Sequence, residues 1–565
     1  MTLAQIEAAL TAPGQRFEIE TVDIRGVPTR IWKNAPPNLA LLVAFSRSHG
    51  AREFIVHEGE RVTYDAHFRA VAHLAHKLVE LGVGKGDRVA FAMRNLPEWP
   101  AIFFAVASIG AIAVPLNAWW SAAELTYGVN DSGAKLLILD GERHDRFRAS
   151  FDELRGVEHI FVTRPRGPLD ERAVPFDSLL PGPNEWAGLP EIGLPAAAAQ
   201  IAPDDDLVIF YTSGTTGAPK GALGTHRNMA TNIFSSAYTA ARAMLRRGEV
   251  PPATPEPKVG LLVIPLFHVT ACSASLMGTV ATGGTMVLMR KWDAGEALRL
   301  IERERVQLTG GVPTIAWQLL EHPDRDRHDL SSLEAVQYGG APAAPELVRR
   351  IEAEFGAAPG SGWGMTETMA TVTQHSGEDY LARPDSCGPA VAVAELKIMS
   401  LDGATELPLG EVGELWARGP MIVKGYWNKP EATAATFVDG WVRTGDLSRL
   451  DEEGFCYIVD RAKDIIIRGG ENIYSTEVEN ILYAHPAVTD AALVGVPHRT
   501  LGEEPAAVVH LCPGCSASEQ ELKDWVAQHL APFKVPVAIR FIDTVLPRNA
   551  NGKILKGELR AMFAG

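Results

Sequence analysis

Cysteine is scarce. Five in 565 residues exclude a disulfide framework and fit a reducing cytoplasm. Cys512 and Cys515, in LCPGCSA, have metal or redox spacing, but no second CxxC or HxxxH pair accompanies them, so they read as incidental thiols in a turn. Positive charge is short as well: 53 Lys and Arg against 69 Asp and Glu leave a formal net charge of −16. That balance argues against a nucleic-acid partner, whose phosphates need clustered cations. Any anionic ligand must instead be held by local donors. Internal repeats and low-complexity tracts are lacking. The start, MTLAQIEAALTAPGQ, has neither a basic beginning nor a long apolar core and reads as no signal peptide. The longest nearly uncharged run, AIFFAVASIGAIAVPLNAWW from Ala101 to Trp120, approaches membrane-spanning length. Pro115 and Asn117 interrupt it, and Ala105, Ala107, Gly110 and Ala111 suit close packing on a sheet. It reads as a buried helix followed by a strand, so no integral membrane segment is expected.

What is present is an ordinary globular composition, 46% hydrophobic and 22% charged, in a chain too long for one core. Strand-like apolar runs, GDRVAFAM (86–93), AKLLILD (134–140), DLVIFY (206–211), VGLLVIP (259–265) and TMVLMR (285–290), alternate with helical patterns such as AHFRAVAHLAHKLVELG (66–82) and APELVRRIEAEFG (344–356). Alternation of this kind implies parallel sheets covered on both faces, with sites in the loops at the carboxyl ends of strands. After about residue 390 the texture turns β-rich, as in LGEVGELWARGPMIVKGYWNKP. Beyond DRAKDIIIRGGENI lies a last segment with its own strands (DAALVGVP, AAVVHL) and helix (SEQELKDWVAQHLA). The expected fold is therefore α/β: a large N-terminal domain of parallel sheets plus a β-rich subdomain over residues 1–460, a hinge at 461–463, and a small mobile α+β domain over 464–565.

YTSGTTGAPKG (211–221), directly after DLVIFY, has the ingredients of a phosphate grip. Glycines allow close backbone approach, amides in turns make anion-binding hollows, and hydroxyls and a lysine add donors. Its spacing is not that of the Walker loop, which needs G-x-x-x-x-G-K-[ST]. Taken alone, it is also compatible with a mobile surface loop.

Further motifs follow in order. PLFHVT (265–270), YGGAP (338–342), GWGMTET (362–368), WVRTGDL (441–447), DRAKDIIIRGGENI (460–473) and PRNANGKILK (547–556), together with YTSGTTGAPKG, resemble the signature segments of the adenylate-forming superfamily of acyl-CoA synthetases, adenylation domains and firefly luciferase. The resemblance runs from about residue 40 to near the end. It implies attack of a carboxylate on the α-phosphate of ATP, release of pyrophosphate, and transfer of the acyl-adenylate to the thiol of coenzyme A. The nucleophile belongs to the substrate, which accounts for the lack of a Ser-His-Asp or Cys-His triad.

The same resemblance assigns roles. Thr212, Ser213, Gly214, Thr215, Thr216, Gly217 and Lys220 would hold the β- and γ-phosphates. Gly340, Ala341 and Pro342 would form one side of the adenine slot, and Trp363, Gly364 and Met365 the other. Trp363 departs from the family's usual tyrosine and offers a larger face without the phenolic OH; packing in the core is the competing reading. Thr366 would donate to the α-phosphate and Glu367 would ligate Mg²⁺, against the alternative of a solvated surface acid. Asp446 would accept from the ribose hydroxyls, and Arg461 would reach ribose or phosphate unless it serves a structural ion pair. Lys553 would be the catalytic lysine, and Lys463 the hinge about which Arg468, Gly469, Gly470, Glu471 and Asn472 swing in as a channel for coenzyme A.

The acid pocket implied by the resemblance is His268, Val269 and Thr270, with Cys272 and Ser273 nearby, then Tyr338 and Gly339. His268 is either a gate or a structural histidine. The wall is small and mostly apolar, with no cation for a second carboxylate, so a monocarboxylic acid with an apolar body is expected. A fatty acid is favoured because LNAWWSAAELTYGVNDSGAKLLI (116–138) is similar to bacterial fatty-acyl-CoA ligases; an aryl or arylpropenoic acid is the alternative. Rival acceptors are an amine, a carrier thiol or oxygen, and a catalytically dead nucleotide sensor is the rival outside enzymes. Lys553 and Glu367 argue against the last. The expected partners are a small carboxylic acid, ATP and coenzyme A; a homodimer is left open.

Overall fold

The uncharged run from Ala101 lies at the centre of the molecule. Helix Glu98–Ala107 is buried at every residue and leads into strand Ile112–Pro115, as the small residues and Pro115 require. No helix among the described residues is long and apolar enough to cross a membrane. The computed structural model describes residues 1–212, 218–339, 345–469, 471–512, 514–548 and 553–563.

Among the described residues, two large sheets form the body. The first has seven strands. Asp206–Tyr211, Ile112–Pro115, Arg88–Ala92, Leu136–Asp140, His159–Thr163 and Ala173–Pro175 run parallel, and Gly221–Thr225 adds an antiparallel edge. The second has eight. Ala358–Met365, Ala335–Tyr338, Leu308–Gly311, Val259–Leu262, Thr285–Leu288 and Glu53–His57 are parallel, flanked by antiparallel Ala370–Ser376 and Glu60–Thr63. The central strands read as uninterrupted apolar runs because both faces are covered.

The long helix His226–Arg246 starts from a Thr225–Asn228 capping box, a reciprocal pair that satisfies the free amides of a first turn. Its buried Asn232 donates to the Ser273 carbonyl and accepts from the Thr371 amide, which fixes it against the second sheet.

The β-rich texture after residue 390 is a six-stranded antiparallel sheet that includes Glu395–Met399, Gly413–Arg418, Trp441–Leu450 and Phe455–Arg461. Residues 466–541 build a five-stranded sheet with its own apolar core, among them Ile466, Val478, Leu493, Val509, Leu522 and Ile539.

One reading needs correction. Cys512 and Cys515 are joined in a disulfide rather than being incidental thiols; Cys272, Cys387 and Cys456 are free and buried. The segment GWGMTET starts in a strand, Ala358–Met365, which runs through Trp363, and only Thr366–Thr368 turns. Glycine-rich strands hide from periodicity because half their positions carry no side chain to alternate.

Candidate active site

The phosphate-loop sequence connects two antiparallel strands, Asp206–Tyr211 and Gly221–Thr225. The Thr212 amide donates to the Lys220 carbonyl at 2.8 Å, and the Lys220 amide reaches Thr212 Oγ1 at 3.4 Å, so the base of the loop is pinned. Ser213, Gly214, Thr215, Thr216 and Gly217 lie outside the described residues, as do Gly340, Ala341, Pro342 and Gly470. Beside the hairpin runs residue stretch 424–427: Leu223 donates to the Gly425 carbonyl, Lys424 to Leu223, and Trp427 to Gly221. This pairing sets Tyr426 under Lys220, whose ammonium sits 4.9 Å from the ring centroid. The Tyr426 hydroxyl donates to Glu367 Oε1 at 2.6 Å.

Tyr426 did not emerge from the sequence. Its signal, GYW after a β-rich stretch, carries no spacing that points at Glu367, 59 residues away.

Glu367 is buried, on a tight turn. Thr368 Oγ1 accepts from the Met365 amide at 2.9 Å and donates on to carbonyl oxygen of Ala370 or Met365. Met369 and Ala370 both adopt positive φ, 48° and 95°, a conformation that costs about 1–3 kcal/mol per residue and persists only where surroundings enforce it. Ser273 Oγ enforces it here by donating to the Met369 carbonyl, and Asn232 accepts from Thr371.

A second cluster forms on the antiparallel sheet. Asp446 and Arg461 are cross-strand partners, and the Arg461 Nε lies 2.6 Å from Asp446 Oδ1. The other carboxylate oxygen accepts the Trp363 indole N–H at 2.7 Å. Asp446 is buried, so a polar group left unpaired there would be costly; the indole and guanidinium partner it and fix its direction. The structural ion pair expected as the alternative for Arg461 is present, and the residue also lines the cavity. Trp363 is likewise both core, beside Tyr238 and Val442, and cavity wall.

Lys553 enters from the C-terminal segment. Burial, and next the Arg461 guanidinium, lower its ammonium from the ordinary lysine value, against the opposing pull of Asp446 and Glu367. Lys463 is lowered too, first by burial. His268 Nδ1 accepts from the Thr270 amide at 3.3 Å, which leaves the proton on Nε2. Burial, with a smaller push from Lys553, takes the His268 ring down to about 4, so it is neutral at physiological pH.

One cavity of about 2100 Å³ joins these groups: Thr212, Lys220, His268, Glu367, Arg461 and Lys553 all line it. Val269, Thr270, Tyr338 and Gly339 also line it, along with Gly364, Met365 and Thr366. Cys272 and Ser273 do not. They are fully buried on the far side of a π-helical turn, Thr270–Leu276, which turns Ala274 and Ser275 to the cavity instead. The wall is also less apolar than expected. Gln337 and Gln374 both face the cavity and are hydrogen-bonded to each other at 3.0 Å, and Thr239 donates to Gln374 at 2.9 Å. Arg468, Gly469 and Glu471 lie apart from the cavity on the five-stranded sheet, where Arg468 pairs with Glu504 at 3.2 Å and the Gly469 amide donates to Leu501.

The profile of the family described as AMP-binding enzyme matches residues 43–427. The chain belongs to that family. The profile of the AMP-binding enzyme C-terminal domain matches residues 477–553. Among curated relatives of this AMP-binding enzyme, a feruloyl-CoA synthase from Amycolatopsis sp is 37% identical over 90% of this chain and 95% of its own length. The long-chain-fatty-acid–CoA ligase FadD13 of Mycobacterium tuberculosis (strain ATCC 25618 / H37Rv) is 33% identical, over 89% of this chain and 93% of its own. Among solved structures, o-succinylbenzoate CoA synthetase (MenE) from Bacillus subtilis in complex with its acyl-adenylate intermediate is 31% identical with a TM-score of 0.76, covering 93% of this chain and 98% of that one. This AMP-binding enzyme is accordingly an acid–thiol ligase of the AMP-forming class, acting on acyl or aryl acids.

Proposed function

We propose that this ligase activates a medium- or long-chain fatty acid. The carboxylate attacks the α-phosphorus of ATP, the bond to the β-phosphate oxygen breaks, and pyrophosphate leaves. The thiol of coenzyme A then attacks the acyl carbonyl, releasing AMP and a proton. The observation that carries the acid's identity is the cavity's extent. It runs from the Lys553–Glu367–Arg461 end beneath helix His226–Arg246 and along the second sheet to Ala335 and Ala358. From Gly339 back to Ala335 is about 13 Å at about 3.3 Å per strand residue. An extended alkyl chain with bonds of about 1.5 Å zigzags and advances about 1.3 Å per carbon, so that distance takes roughly ten methylenes.

In this reading Lys220, Tyr426 and the loop 212–220 hold the departing pyrophosphate, Asp446 and Arg461 the ribose, and Trp363 backs the adenine. Lys553 places its ammonium against the charge that develops on the phosphate; preorganised cations of this kind act strongly in a cavity that excludes water. Neutral His268 offers its Nε2–H to the acid's carboxylate, orienting it without a proton transfer. The metal fit rests on Glu367. It is a buried carboxylate with one oxygen fixed by Tyr426, and no cluster of three ligating side chains occurs among the described residues. A single carboxylate suits Mg²⁺, which fills its shell with phosphate oxygens and water and, when bound, neutralises phosphate charge.

Rotation of the C-terminal segment about Lys463 would exchange Lys553 for the Arg468–Glu471 turn, opening the way to coenzyme A. A contact that such a rotation must break spans the hinge: Asp460 accepts from the hydroxyl of Ser475, at the start of helix Ser475–Tyr483, at 2.9 Å. The co-substrates suit a cytoplasmic setting.

A second reading, a hydroxylated arylpropenoic acid, is favoured by the Gln337–Gln374–Thr239 chain, which could receive a phenolic hydroxyl, and by the name of the feruloyl relative. A panel of straight-chain and arylpropenoic acids, scored by AMP release dependent on coenzyme A, separates the two. Highest kcat/KM with long straight chains supports the first reading; preference for ferulate or coumarate overturns it in favour of the second.

A further inference from the structure

Most glycines on the cavity wall are there because the backbone demands them. A Cβ on Gly364 would strike the Ala370 carbonyl, one on Gly310 the Gln337 carbonyl, and one on Gly362 the Thr373 carbonyl at 2.5 Å. Gly311 and Gly445 have positive φ. Gly260 and Gly278 are different. A Cβ on Gly260 would meet nothing nearer than the Leu308 and Thr285 carbonyls at 3.8 and 4.0 Å, and one on Gly278 nothing within 4 Å. Neither has positive φ, and glycine weakens both a strand and a helix. The fold has no use for them.

The space in front of them does. Gly260 is second in a row of five across the second sheet: in register, Met286 pairs with Gly260, Gly260 with Leu308, Leu308 with Ala335, and Ala335 with Ala358. All five line the cavity, in a row displaced along the strand direction from Gly339 by about 13 Å, the rise from Ala335. Gly278, on helix Met277–Thr282, lines the same end: its neighbour Thr279 and the strand residue Lys258 both lie against Gly284. The side chains of this row are large, nothing, large, small, small. Gly260 is thus a notch between Met286 and Leu308.

We infer that Gly260 and Gly278 are the length gauge of the acid pocket: the gap they leave admits acyl chains longer than about ten carbons. The inference rests on the fatty-acid reading above and adds the residues that set the limit. Neither glycine belongs to the nucleotide end, so filling the gap leaves adenylation chemistry intact and excludes only long tails.

The test uses Gly278→Leu and Gly260→Val in the full-length enzyme, with a ladder of straight acids from butanoic to octadecanoic and with ferulic acid, read as kcat/KM for AMP release. Because the backbone has room for a Cβ at both positions, folding is checked by the melting temperature and by the KM for ATP, each expected to match the parent. The expected result is a loss of tenfold or more, in the range that a misfit in an apolar pocket produces, for acids beyond about ten carbons, with short acids within about twofold. Ladders that superimpose for parent and variants while the parent uses long acids overturn the gauge and leave the fatty-acid reading standing. A parent that uses ferulic acid and rejects every long acid overturns both.

Discussion

The two ends of the cavity are built on opposite plans. At the nucleotide end each functional side chain is held by another: Lys220 by Tyr426, Tyr426 by Glu367, Trp363 by Asp446, Asp446 by Arg461. Backbone strain at Met369 and Ala370 is maintained there by Ser273 and Thr368. At the acid end the wall is defined by what is missing, with Gly260, Gly278, Ala335 and Ala358 leaving room. One end is preorganised to stabilise charge, the other to tolerate shape. Substitutions at the first should therefore alter rate or nucleotide affinity whatever the acid, and substitutions at the second should alter acid choice alone.

The largest expected break is Lys553→Ala. Adenylate formation, followed by pyrophosphate release, should fall by at least about 10²–10³, the usual cost of removing one preorganised donor, while thioester formation from supplied acyl-adenylate stays near the parent rate. Equal loss of both half-reactions would mean that one arrangement serves both steps. The same lysine sets a pH dependence. Its folded-state pKa is depressed, so the charged form that assists the reaction is lost earlier as pH rises than in an ordinary lysine, near 10.4. The alkaline limb of adenylate formation should lie below that value, and an unshifted limb would contradict the buried, cation-flanked position. His268, held near 4, should contribute no limb between about pH 5.5 and 7.5.

Next in size is Trp363→Phe, which keeps a ring in the core and removes the donor to Asp446. A hydrogen bond to a buried charged group is worth about 1.5–3 kcal/mol, so the KM for ATP should rise roughly tenfold or more with every acid tested. An unchanged KM would show that Arg461 alone suffices to orient Asp446. Tyr426→Phe should cost less, since Lys220 keeps its ring and Glu367 loses only one donor. A several-fold weaker apparent affinity for magnesium, measured also by calorimetric binding of ATP with and without the metal, is the expected outcome.

The same contrast explains what could be read in advance. The parallel strands were legible because burial on both faces writes them as unbroken apolar runs, as in LLILD (136–140) and LVIFY (207–211). Strand Gly221–Thr225, GALGT, and the glycine-rich Ala358–Met365 were not, because they have too few side chains for a pattern. Lys220, Glu367 and Lys553, singled out through their motifs, line the cavity, and Asp446 lies behind it against Trp363 and Arg461. The Asp446–Arg461 pair depends on strand register, and Tyr426 reaches Glu367 only because residues 424–427 lie along 221–223. The acid end was read least well. Cys272 and Ser273 were assigned to the cavity, but the π-helical turn shifts the facing positions, and no α-helical spacing reveals that.

Gln337→Leu is the smallest and most selective break. Among the described residues, the Gln337 side-chain amide accepts from Gln374, itself held by Thr239, and from no charged group. Losing a neutral hydrogen bond on an accessible wall costs about 0.5–1.5 kcal/mol, a factor of roughly two to ten. If the acid is an unsubstituted fatty acid, the leucine leaves kcat/KM unchanged or slightly raised, because the tail meets apolar surface in place of an amide. If the acid carries a phenolic hydroxyl, kcat/KM for ferulate falls by that factor, while cinnamate, which lacks the hydroxyl, is unaffected. Parallel changes in every acid and in the KM for ATP would place Gln337 with the nucleotide machinery and dissolve the division between the two ends.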